Sequence, residues 1–483
     1  MSSAQSIAHP PSRPIQPGLV CNPSTHAAAQ VLEELLRQDY VAHHCFFNDL
    51  GFHDHLSHHL VAAYDMGATP ALLKLIYDEE AKDQRPIGRQ GQDITEENWT
   101  SRLNDRTSYG SYLVFFVDQT AKNGASETVR RYVMAPEANG NGAVMFARFL
   151  AGALHPFLQA GFGVELGQDY MVAQGLAMAA VTAPDFTMAV LDMPSALPEL
   201  GPPTKGVTLL ALLREVYDSP ALVPVLPYKP NATITARFKD LTADPARTDA
   251  LKRIYSKWSV DASLTEAEFD AKIEECLFQA VLLLAATGKP KRAPRLDFFL
   301  MHILTSALCL PSMLKALPDP VHKAHMLQGY ARVSALFILM RGRPRIDVPL
   351  LMSYTEHPRP PTPAPGGSAA LGDPRVEGQT DPWLAIVQNA LHHKDAHVIK
   401  TVRTLYYCAQ RYGRTPAGGV IGARGADGEE THVGTGTMDG TIFVRAAGLV
   451  SGALGWVAYG EPEGDWDRSA LGWDAAWEGE DKK

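Results

Sequence analysis

Cysteine is scarce in this 483-residue sequence, and charge of one sign is never concentrated. The five cysteines are far apart and none belongs to a CxxC pair, which argues against a disulfide framework. The net charge is −9, with acidic and basic residues mixed along the chain. Because a nucleic-acid binder needs a basic stripe to neutralise phosphates, this composition predicts no nucleic-acid partner and favours a small molecule or another protein.

Long hydrophobic runs are also lacking. The longest apolar stretches, such as FQAVLLLAATG from Phe278 to Gly288, fall short of the roughly 18 residues expected for a membrane span. The first residues, MSSAQSIAHPPSRPIQPGL, are rich in Pro and Ser and have no apolar core of a signal peptide. We therefore expect residues 1–24 to form a disordered tail on a cytoplasmic protein that is not inserted in a membrane.

Familiar catalytic motifs are missing as well. There is no HExxH, no P-loop and no GxSxG elbow. The segments GFGVELG (161–167) and GTGTMDG (434–440) each contain GxG, but neither has the GxGxxG spacing between a strand and a helix. The sequence therefore gives no support for a nicotinamide or flavin bound in a Rossmann domain.

Helical periodicity is what the sequence does contain. THAAAQVLEELLRQDY, from Thr25, carries apolar residues at three- and four-residue spacing. A capping box at Ser263 and Glu266 opens another helix. LDFFLMHILTSALCLPSMLKAL and HKAHMLQGYARVSALFILM are apolar nearly all round, which predicts buried helices.

Strand signals are few. TIFVRAA near Ile442 is the best of them, and it suits the start of a helix equally well. A Pro/Gly-rich stretch predicts a loop at about residues 356–381. We predict a mainly α protein: one large multi-helix domain over residues 25–483, with long loops and few or no strands.

Four histidines crowd into GFHDHLSHHL, which begins at Gly51. On a helix, His55, His58 and His59 would share one face, while His53 would point elsewhere. Imidazoles in this arrangement bind a transition metal or relay protons. They also form ordinary hydrogen-bonded polar faces, and the spacing does not decide between the two interpretations.

Two further histidines lie in unusually apolar surroundings. His155 precedes Pro156, which disfavours the α conformation for the residue before it and predicts a bend at His155. His302 lies in LDFFLMHILTSAL, where a buried imidazole needs a partner to offset its lost hydration. Each alone is more often a hydrogen-bonded core histidine than a ligand. Together with a further cluster they favour a converging site.

That further cluster is LHHKDAHVIKTVR, where His393, His397 and Lys400 lie on one stripe of a helix. A protonated lysine repels a metal ion. It becomes a ligand only if neutral, or if CO₂ has converted its amine to a carbamate. Spacing alone favours an ordinary lysine that reaches water or pairs with Asp395.

Several segments together resemble the questin oxidase-like family, from about residue 45 to the C-terminus. They are GFHDHLSHHLVAAYDMGATPALL, GALHPFLQAGFGVELGQDYMVAQGLAMAAVTAP, DFFLMHILTSALCL, DAHVIKTVRTL and GWDAAW. This family is frequent in fungal secondary metabolism and is linked to oxidative ring opening of anthraquinones and related polyketides. The set is specific, although no single motif would carry it.

The resemblance implies a mononuclear metal centre built from His55, His155, His302, His397 and Lys400, the lysine as a carbamate. Nitrogen-rich ligation suits Fe, Zn or Cu, and an oxidative role selects Fe(2+). The sequence departs from the family pattern at three positions: Gln159 replaces a His, Gln174 a Glu and Thr182 a His. These changes bear on the substrate more than on the metal.

The expected activity is that of an oxidoreductase, an iron-dependent oxygenase that uses O₂ to cleave or expand a ring of an aromatic polyketide. Around the metal we expect further acid/base or ligand-orienting residues: His58, His59, Asp54 and Glu165. For an apolar substrate pocket we expect four side chains, each of which also suits plain core packing: Phe52, Phe162, Met171 and Phe299.

Three alternatives stay open. The first is a Baeyer–Villiger-type oxidase that requires NADPH as reductant, although no nucleotide fingerprint is present. The second is a non-catalytic helical scaffold of a biosynthetic cluster. The third is a zinc hydrolase, which would turn over without O₂.

Overall fold

The computed structural model describes residues 7–8, 10, 12–88, 93–191, 206–361 and 369–479. Over these ranges the chain forms 21 α-helices, and its β-type pairings are isolated bridges only. The prediction of a mainly α protein with few or no strands is confirmed.

The helices follow one another with short connections. They are α1 (His26–Ala42), α2 (Leu56–Asp65), α3 (Pro70–Glu80), α4 (Tyr109–Asn123), α5 (Ala125–Val129), α6 (Pro136–Asn139), α7 (Met145–Phe149), α8 (His155–Leu166), α9 (Asp169–Val181), α10 (Asp185–Leu191), α11 (Leu209–Asp218), α12 (Ile234–Thr242), α13 (Pro245–Tyr255), α14 (Glu266–Ala285), α15 (Phe298–Ala307), α16 (Leu310–Ala316), α17 (Pro320–Met340), α18 (Val348–Ser353), α19 (Pro382–Leu391), α20 (Ala396–Tyr412) and α21 (Ile442–Leu454).

Contacts divide the chain into two compact units. Unit 1 comprises Met1–Gly201, Val260–Phe269 and Cys309–Val333, and unit 2 comprises Pro202–Ser259, Asp270–Leu308 and Ser334–Lys483. Each unit has its own interior, and each contains part of the predicted site.

The interior of unit 1 is built on α9, which is buried on every face and packs against α4 and α8. Glycine permits the close approach of α8 and α9. A Cβ added at Gly163 would lie 2.6 Å from the backbone nitrogen of Val172, and one at Gly175 would lie 2.7 Å from that of Ala160. Since no side chain fits these gaps, the two backbones pack almost in contact.

The predicted histidine face is only partly helical. α2 begins at Leu56, so His58 and His59 lie within it, whereas His55 is the residue just before it. Asp54 explains the boundary, because its carboxylate accepts a hydrogen bond from the Leu56 backbone nitrogen at 2.8 Å. The expectation that three of these histidines share one helix face was therefore wrong for His55.

The bend predicted at His155 lies in the three residues before it. Gly152, Ala153 and Leu154 have positive φ angles of 56°, 54° and 68°, whereas His155 is helical and starts α8. Pro156 occupies the first turn, where its missing N–H costs no hydrogen bond. This left-handed turn points the start of α8, and with it His155, into the interior of unit 1.

Part of the predicted N-terminal tail is bonded to unit 1. Residues 1–6, 9 and 11 lie outside the described ranges. Further along, the Leu19 backbone nitrogen donates to Glu165 at 2.8 Å, and the Val20 nitrogen donates to Asp65 at 3.0 Å. These bonds tie Leu19 and Val20 to the rest of unit 1, and the assignment of residues 1–24 as a disordered tail stays a prediction.

In unit 2, α20 packs against α15, α19 and α21. Asp297 caps α15, accepting from the backbone nitrogens of Phe299 and Leu300 at 2.9 and 3.2 Å. The same carboxylate binds Nε of Arg341 at 2.7 Å, and both side chains are fully buried. A buried ion pair therefore fixes the start of the helix that carries His302.

Other boundaries refine the sequence predictions. The capping box lies two residues later than predicted, between Thr265 and Glu268, because Asp261 instead accepts from Ser263. TIFVRAA belongs to α21 and is not a strand. The described parts of the 356–381 loop contain no helix, while residues 362–368 lie outside the described ranges.

Among the helices of the described chain, none is by itself long and apolar enough to cross a membrane, and α15 with α16 meets that criterion only as a bent pair.

Candidate functional site

The closest imidazole contact in unit 1 joins His55 and His155, whose Nε2 atoms lie 2.8 Å apart. His155 is buried, and its Nδ1 is 2.6 Å from the carbonyl oxygen of Gly152. An Nδ1–H donated to that carbonyl leaves the Nε2 lone pair directed toward His55. Two nitrogens about 2.0–2.1 Å from one ion at a near-right angle have a similar separation.

His53 packs on the other side of His155. The two rings are stacked, with centroids 4.4 Å apart and planes 6° from parallel. The ring of Phe46 lies 4.8 Å from His53, and the Arg106 guanidinium lies 4.9 Å from the Phe46 centroid. Burial, aided by the charge of Arg106, lowers the pKa of His53 to about 3. A neutral imidazole therefore holds the plane of the His155 ring.

The other two histidines of α2 have separate surroundings. His58 is fully buried, with its ring edge-on to Phe162 at 5.1 Å. His59 makes a short hydrogen bond from Nδ1 to the carboxylate of Glu80. His58 therefore lies in the interior near the His55–His155 pair, whereas His59 is hydrogen-bonded to a carboxylate on α3.

Asp54 belongs to a second polar group of unit 1. Its carboxyl, that of Asp39 and the imidazole of His43 have ligand-type atoms within 4.8 Å of one another. Burial and the neighbouring Asp39 raise the pKa of Asp54 well above its ordinary value. The same carboxyl accepts the hydrogen bond from the Leu56 backbone nitrogen at the start of α2.

The residues at two of the three departures from the family pattern adjoin this group. Ser57 Oγ donates to Gln159 at 3.0 Å, and Gln159 Nε2 donates to Gln174 at 3.0 Å. Asp54 and these three side chains line one small internal cavity. Thr182, the third departure, bonds the Met178 carbonyl at 2.7 Å. Gln159, Gln174 and Thr182 are thus buried neutral side chains held by hydrogen bonds.

Unit 2 brings together the predicted ligands His302 and His397, whose ring centroids lie 5.2 Å apart. His302 Nδ1 lies 2.8 Å from the carbonyl oxygen of Phe298. The Phe298 ring is edge-on to both imidazoles, at 4.8 Å from His302 and 5.0 Å from His397. The Phe298 residue thus contacts both imidazoles through its ring and His302 also through its carbonyl.

His397 is oriented by Asp395, the N-cap residue of α20. Its Nδ1 lies 2.6 Å from Asp395 Oδ1, and its backbone nitrogen donates to the same oxygen at 2.8 Å. Trp466 Nε1 donates to the other carboxylate oxygen at 2.8 Å. Burial raises the pKa of Asp395, but the charge and hydrogen bonds of His397 outweigh it, so the pKa is lowered overall. Asp395 therefore stays ionised.

Lys400 follows His397 by three residues on α20, and its side chain is 2% exposed. The ammonium does not reach water, so the first of the two ordinary interpretations, a snorkelling lysine, is wrong. The second interpretation, that Lys400 pairs with Asp395, has support, because the charge of Lys400 contributes to the lowered pKa of Asp395. A buried lysine next to a buried histidine remains compatible with a ligand role.

The remaining predicted residues are dispersed. Glu165 binds the Leu19 backbone nitrogen. Phe52 is 43% exposed and stacks on Phe47, while Met171 is fully buried where α9 meets α8. Phe299 in unit 2 lies under the Arg341 guanidinium at 4.9 Å. Two of the four predicted pocket residues have ring contacts with predicted site histidines: Phe162 with His58, at 5.1 Å, and Phe299 with His302, at 6.5 Å between ring centroids.

Sequence reasoning missed three residues that contact a predicted ligand or the carboxylate that orients one. His53 was expected to point elsewhere, and Phe298 and Trp466 were not singled out. The Asp-x-His spacing of Asp395 and His397 is the one available signal, because an N-cap aspartate reaches the backbone two residues on. Nothing local to Trp466 or Phe46 reveals their long-range partners.

Several known proteins are similar in sequence to this chain. The profile of the questin oxidase-like family matches residues 52–405, which include His55, His155, His302, His397 and Lys400. A Baeyer-Villiger oxidase, GME11358, from Pestalotiopsis microspora is 26% identical over 388 residues, covering 78% of this chain and 80% of that protein. A questin oxidase from Aspergillus terreus has the same identity and coverage. Oxidoreductase AflY from Aspergillus parasiticus is 23% identical over 393 residues, covering 79% and 73%. The chain belongs to the questin oxidase-like family.

Proposed function

We propose that this protein is a non-haem iron-dependent oxygenase that acts on an aromatic polyketide of the anthraquinone type. It is an oxidoreductase by family, and its relatives are named questin oxidases and Baeyer-Villiger oxidases. One observation carries the finer proposal. His155, His302 and His397 each have Nδ1 within hydrogen-bond distance of a fixed oxygen, at 2.6, 2.8 and 2.6 Å. Metal-bound histidines have this arrangement, because the outer hydrogen bond sets the tautomer and the ring plane.

The proposed ligands are His55 and His155 from unit 1 and His302, His397 and Lys400 from unit 2. The donor set is nitrogen-rich and buried, which suits Fe, Zn or Cu, and the oxidative chemistry of the relatives favours iron. Bound iron would supply the one-electron chemistry that lets ground-state O₂ react with a closed-shell organic substrate.

Lys400 is the proposed anionic ligand. Its ammonium would first lose one proton, and the neutral amine would then add to CO₂ to give a carbamate and release a second proton, so that a buried cation is replaced by a buried anion. The 2% exposure of this side chain supports the assignment, since a charged group taken out of water carries a desolvation cost. Ionised Asp395 stays next to it and fixes His397.

The proposed proton-transfer residues lie in α2. His59 Nδ1 is hydrogen-bonded to the carboxylate of Glu80, and this pair is the proposed path for a proton between α2 and α3. His58 lies in the interior beside Phe162 and is the proposed acceptor for a phenolic proton of the substrate. Phe162 and Phe299 are the proposed aromatic contacts of a flat substrate. Exposed Phe52 and core residue Met171 are weaker candidates.

A second candidate is an NADPH-dependent Baeyer–Villiger-type oxidase, which the names of several relatives favour. Insertion of one oxygen atom from O₂ needs two electrons and two protons to reduce the other atom to water. NADPH would supply them, whereas ring cleavage that places both atoms in the product needs no reductant.

The test is reconstitution of metal-free protein with Fe(II), Zn(II) or Co(II) without oxygen, followed by ¹⁸O₂ and an anthraquinone substrate. We expect labelled product with Fe(II) alone. Product only with NADPH would select the second candidate, and product with Zn(II) in the absence of O₂ would select a hydrolase. A folded protein that binds no metal and forms no product would leave a scaffold role.

Metal stoichiometry tests the ligand set. We expect one iron per chain, lost in His155→Ala of unit 1 and equally in His302→Ala of unit 2. His432→Phe is the matched control, because it removes a buried imidazole of unit 2 that is outside the ligand set. If each ligand variant retained a full complement of iron, the proposed centre would be wrong.

A further inference from the structure

Three consecutive residues near the C-terminal end of unit 2, Trp466, Asp467 and Arg468, contact the surroundings of both predicted histidine ligands of that unit. Asp467 anchors them. Its backbone nitrogen donates to the Leu296 carbonyl and its carbonyl accepts from the Phe298 nitrogen, each at 2.8 Å. Its carboxylate also binds Nε of Arg295 at 2.7 Å. The 466–468 segment is therefore fixed to the residues that lead into α15.

Trp466 acts on His397 through Asp395. The indole Nε1–H and the His397 imidazole use the two different oxygens of that carboxylate, at 2.8 and 2.6 Å. Trp466 is 7% exposed, so water does not replace the indole donor. The Asp395 carboxylate is thus bonded through both oxygens, and its bond to Nδ1 holds the plane of the His397 ring.

Arg468 acts through Phe298. Its guanidinium lies 3.9 Å from the centroid of the Phe298 ring. The same ring is edge-on to His302 and His397, and the Phe298 carbonyl accepts from His302 Nδ1. A cation over one face of this ring confines it between the segment and the two imidazoles.

We propose that the 466–468 segment is a positioning device for the metal ligands of unit 2, with Trp466 as its principal residue. The proposal rests on the proposed function, because it needs His397 to bind a metal. The segment lies C-terminal to the residues matched by the family profile, 52–405. None of its side chains needs to touch the metal or the substrate.

The test compares Trp466→Phe with Trp477→Phe. Trp477 is also buried in unit 2, and its Nε1 donates to the Leu471 carbonyl at 2.9 Å, so both substitutions delete one indole hydrogen bond. We expect the dissociation constant for Co(II) to rise at least tenfold in Trp466→Phe, the range found for partners of metal-bound histidines. In Trp477→Phe it should change less than twofold, at similar stability toward urea.

Arg468→Met is compared with Arg411→Met in the same way. Arg411 lies 5.7 Å from the ring centroid of Tyr407 on α20 and touches neither Phe298 nor Asp395 in any contact described above. We expect the affinity for Co(II) to be two- to fivefold weaker in Arg468→Met than in the wild type. In the control, Arg411→Met, the affinity should be unchanged. Equal effects in each matched pair would overturn the proposal, as would unchanged affinity in Trp466→Phe.

The reduction potential of bound iron separates positioning from general loosening. Trp466→Phe removes a donor from Asp395, so more of the carboxylate charge acts on His397 and the potential falls. Asp395→Asn removes the charge, and the potential rises. Shifts of the same sign would contradict the arrangement. If the wild-type protein binds no metal, the proposed function fails together with this inference, whereas wild-type binding that is insensitive to Trp466→Phe rejects the inference alone.

Discussion

His55 and His155 face each other across 2.8 Å between their Nε2 atoms, although they are a hundred residues apart in the chain. The contact depends on backbone more than on side chains. Three successive positive φ angles at Gly152, Ala153 and Leu154 turn the chain so that α8 begins with His155. The carbonyl of Gly152, at the start of that turn, then accepts from His155 Nδ1.

Gly152→Ala tests this turn. A Cβ at Gly152 would lie 2.6 Å from Cε1 of His53, and the φ angle of +56° is itself strained for alanine. We expect the free energy of unfolding to fall by about 3 kcal/mol and metal affinity to fall with it. Urea denaturation and Co(II) titration measure the two effects.

The matched control is Gly142→Ala, where φ is +79° but no atom lies within 4 Å of the added Cβ. It should cost only the backbone strain, about 1 kcal/mol, with unchanged metal affinity. Equal losses in both variants would mean that the contact with His53 has no energetic importance.

His53 is predicted to support His155 by stacking and not through its nitrogens. His53→Phe preserves a flat ring between Phe46 and His155, whereas His53→Ala opens a gap on both sides. We expect the alanine variant to release Co(II) at least fivefold faster than the phenylalanine variant, which should resemble the wild type. Stopped-flow measurement with a chelator provides the rates. Similar fast release from both variants would indicate that an imidazole nitrogen is required.

Much of the fold could be predicted from the sequence, because apolar periodicity and capping residues act locally. The buried helices around His302 were expected from runs that are apolar on every side, and α15 is buried as expected. The errors lie at boundaries. α2 starts after His55 because the Asp54 carboxylate caps it, and periodicity alone does not reveal which of several polar residues is the cap.

The site could be predicted only as a set of candidates. Residues three and four apart on a helix share a face, so His397 and Lys400 were found together. The ring contact of Phe46 with His53 and the hydrogen bond from Trp466 to Asp395 join segments whose separation in sequence carries no periodic signal. Tertiary contacts of this kind need the structure.

The ion pair of Asp297 and Arg341 is predicted to stabilise unit 2, since both side chains are fully buried. Asp297→Asn or Arg341→Met alone leaves one charge in the interior and should cost about 3 kcal/mol. The double variant should cost at least 2 kcal/mol less than the sum of the single variants. Urea denaturation of all four proteins completes the cycle.

The exposed pair of Arg214 and Asp218 is the control for that cycle. These side chains are 50% and 55% exposed, and their coupling should be below about 1 kcal/mol. Additive losses for Asp297 and Arg341 would show that the helix cap, and not the charge pair, accounts for the stability.

His432 predicts a loss of stability in acid that is independent of the metal. Its ring is 5% exposed, packs edge-on to Tyr217, and has neither nitrogen hydrogen-bonded within the described part of the chain. Burial lowers its pKa to about 4; the charges of Arg214 and Arg345 act in the same direction and Asp218 opposes them. The unfolded chain therefore binds a proton below about pH 6.5 that the folded protein does not accept until about pH 4.

The contribution of neutral His432 to the free energy of unfolding is thus fully present above the ordinary histidine pKa. It should decline as the pH falls toward 4. Between pH 7 and pH 4.5 the wild type should lose roughly 2 kcal/mol more than His432→Phe, which keeps an aromatic ring against Tyr217 and has no proton to bind. Urea denaturation at the two pH values gives the comparison, and taking the difference between the proteins cancels the titration of their shared carboxylates. Parallel losses would place the acid sensitivity in those carboxylates, because a histidine that protonates freely in the folded state makes no contribution to it.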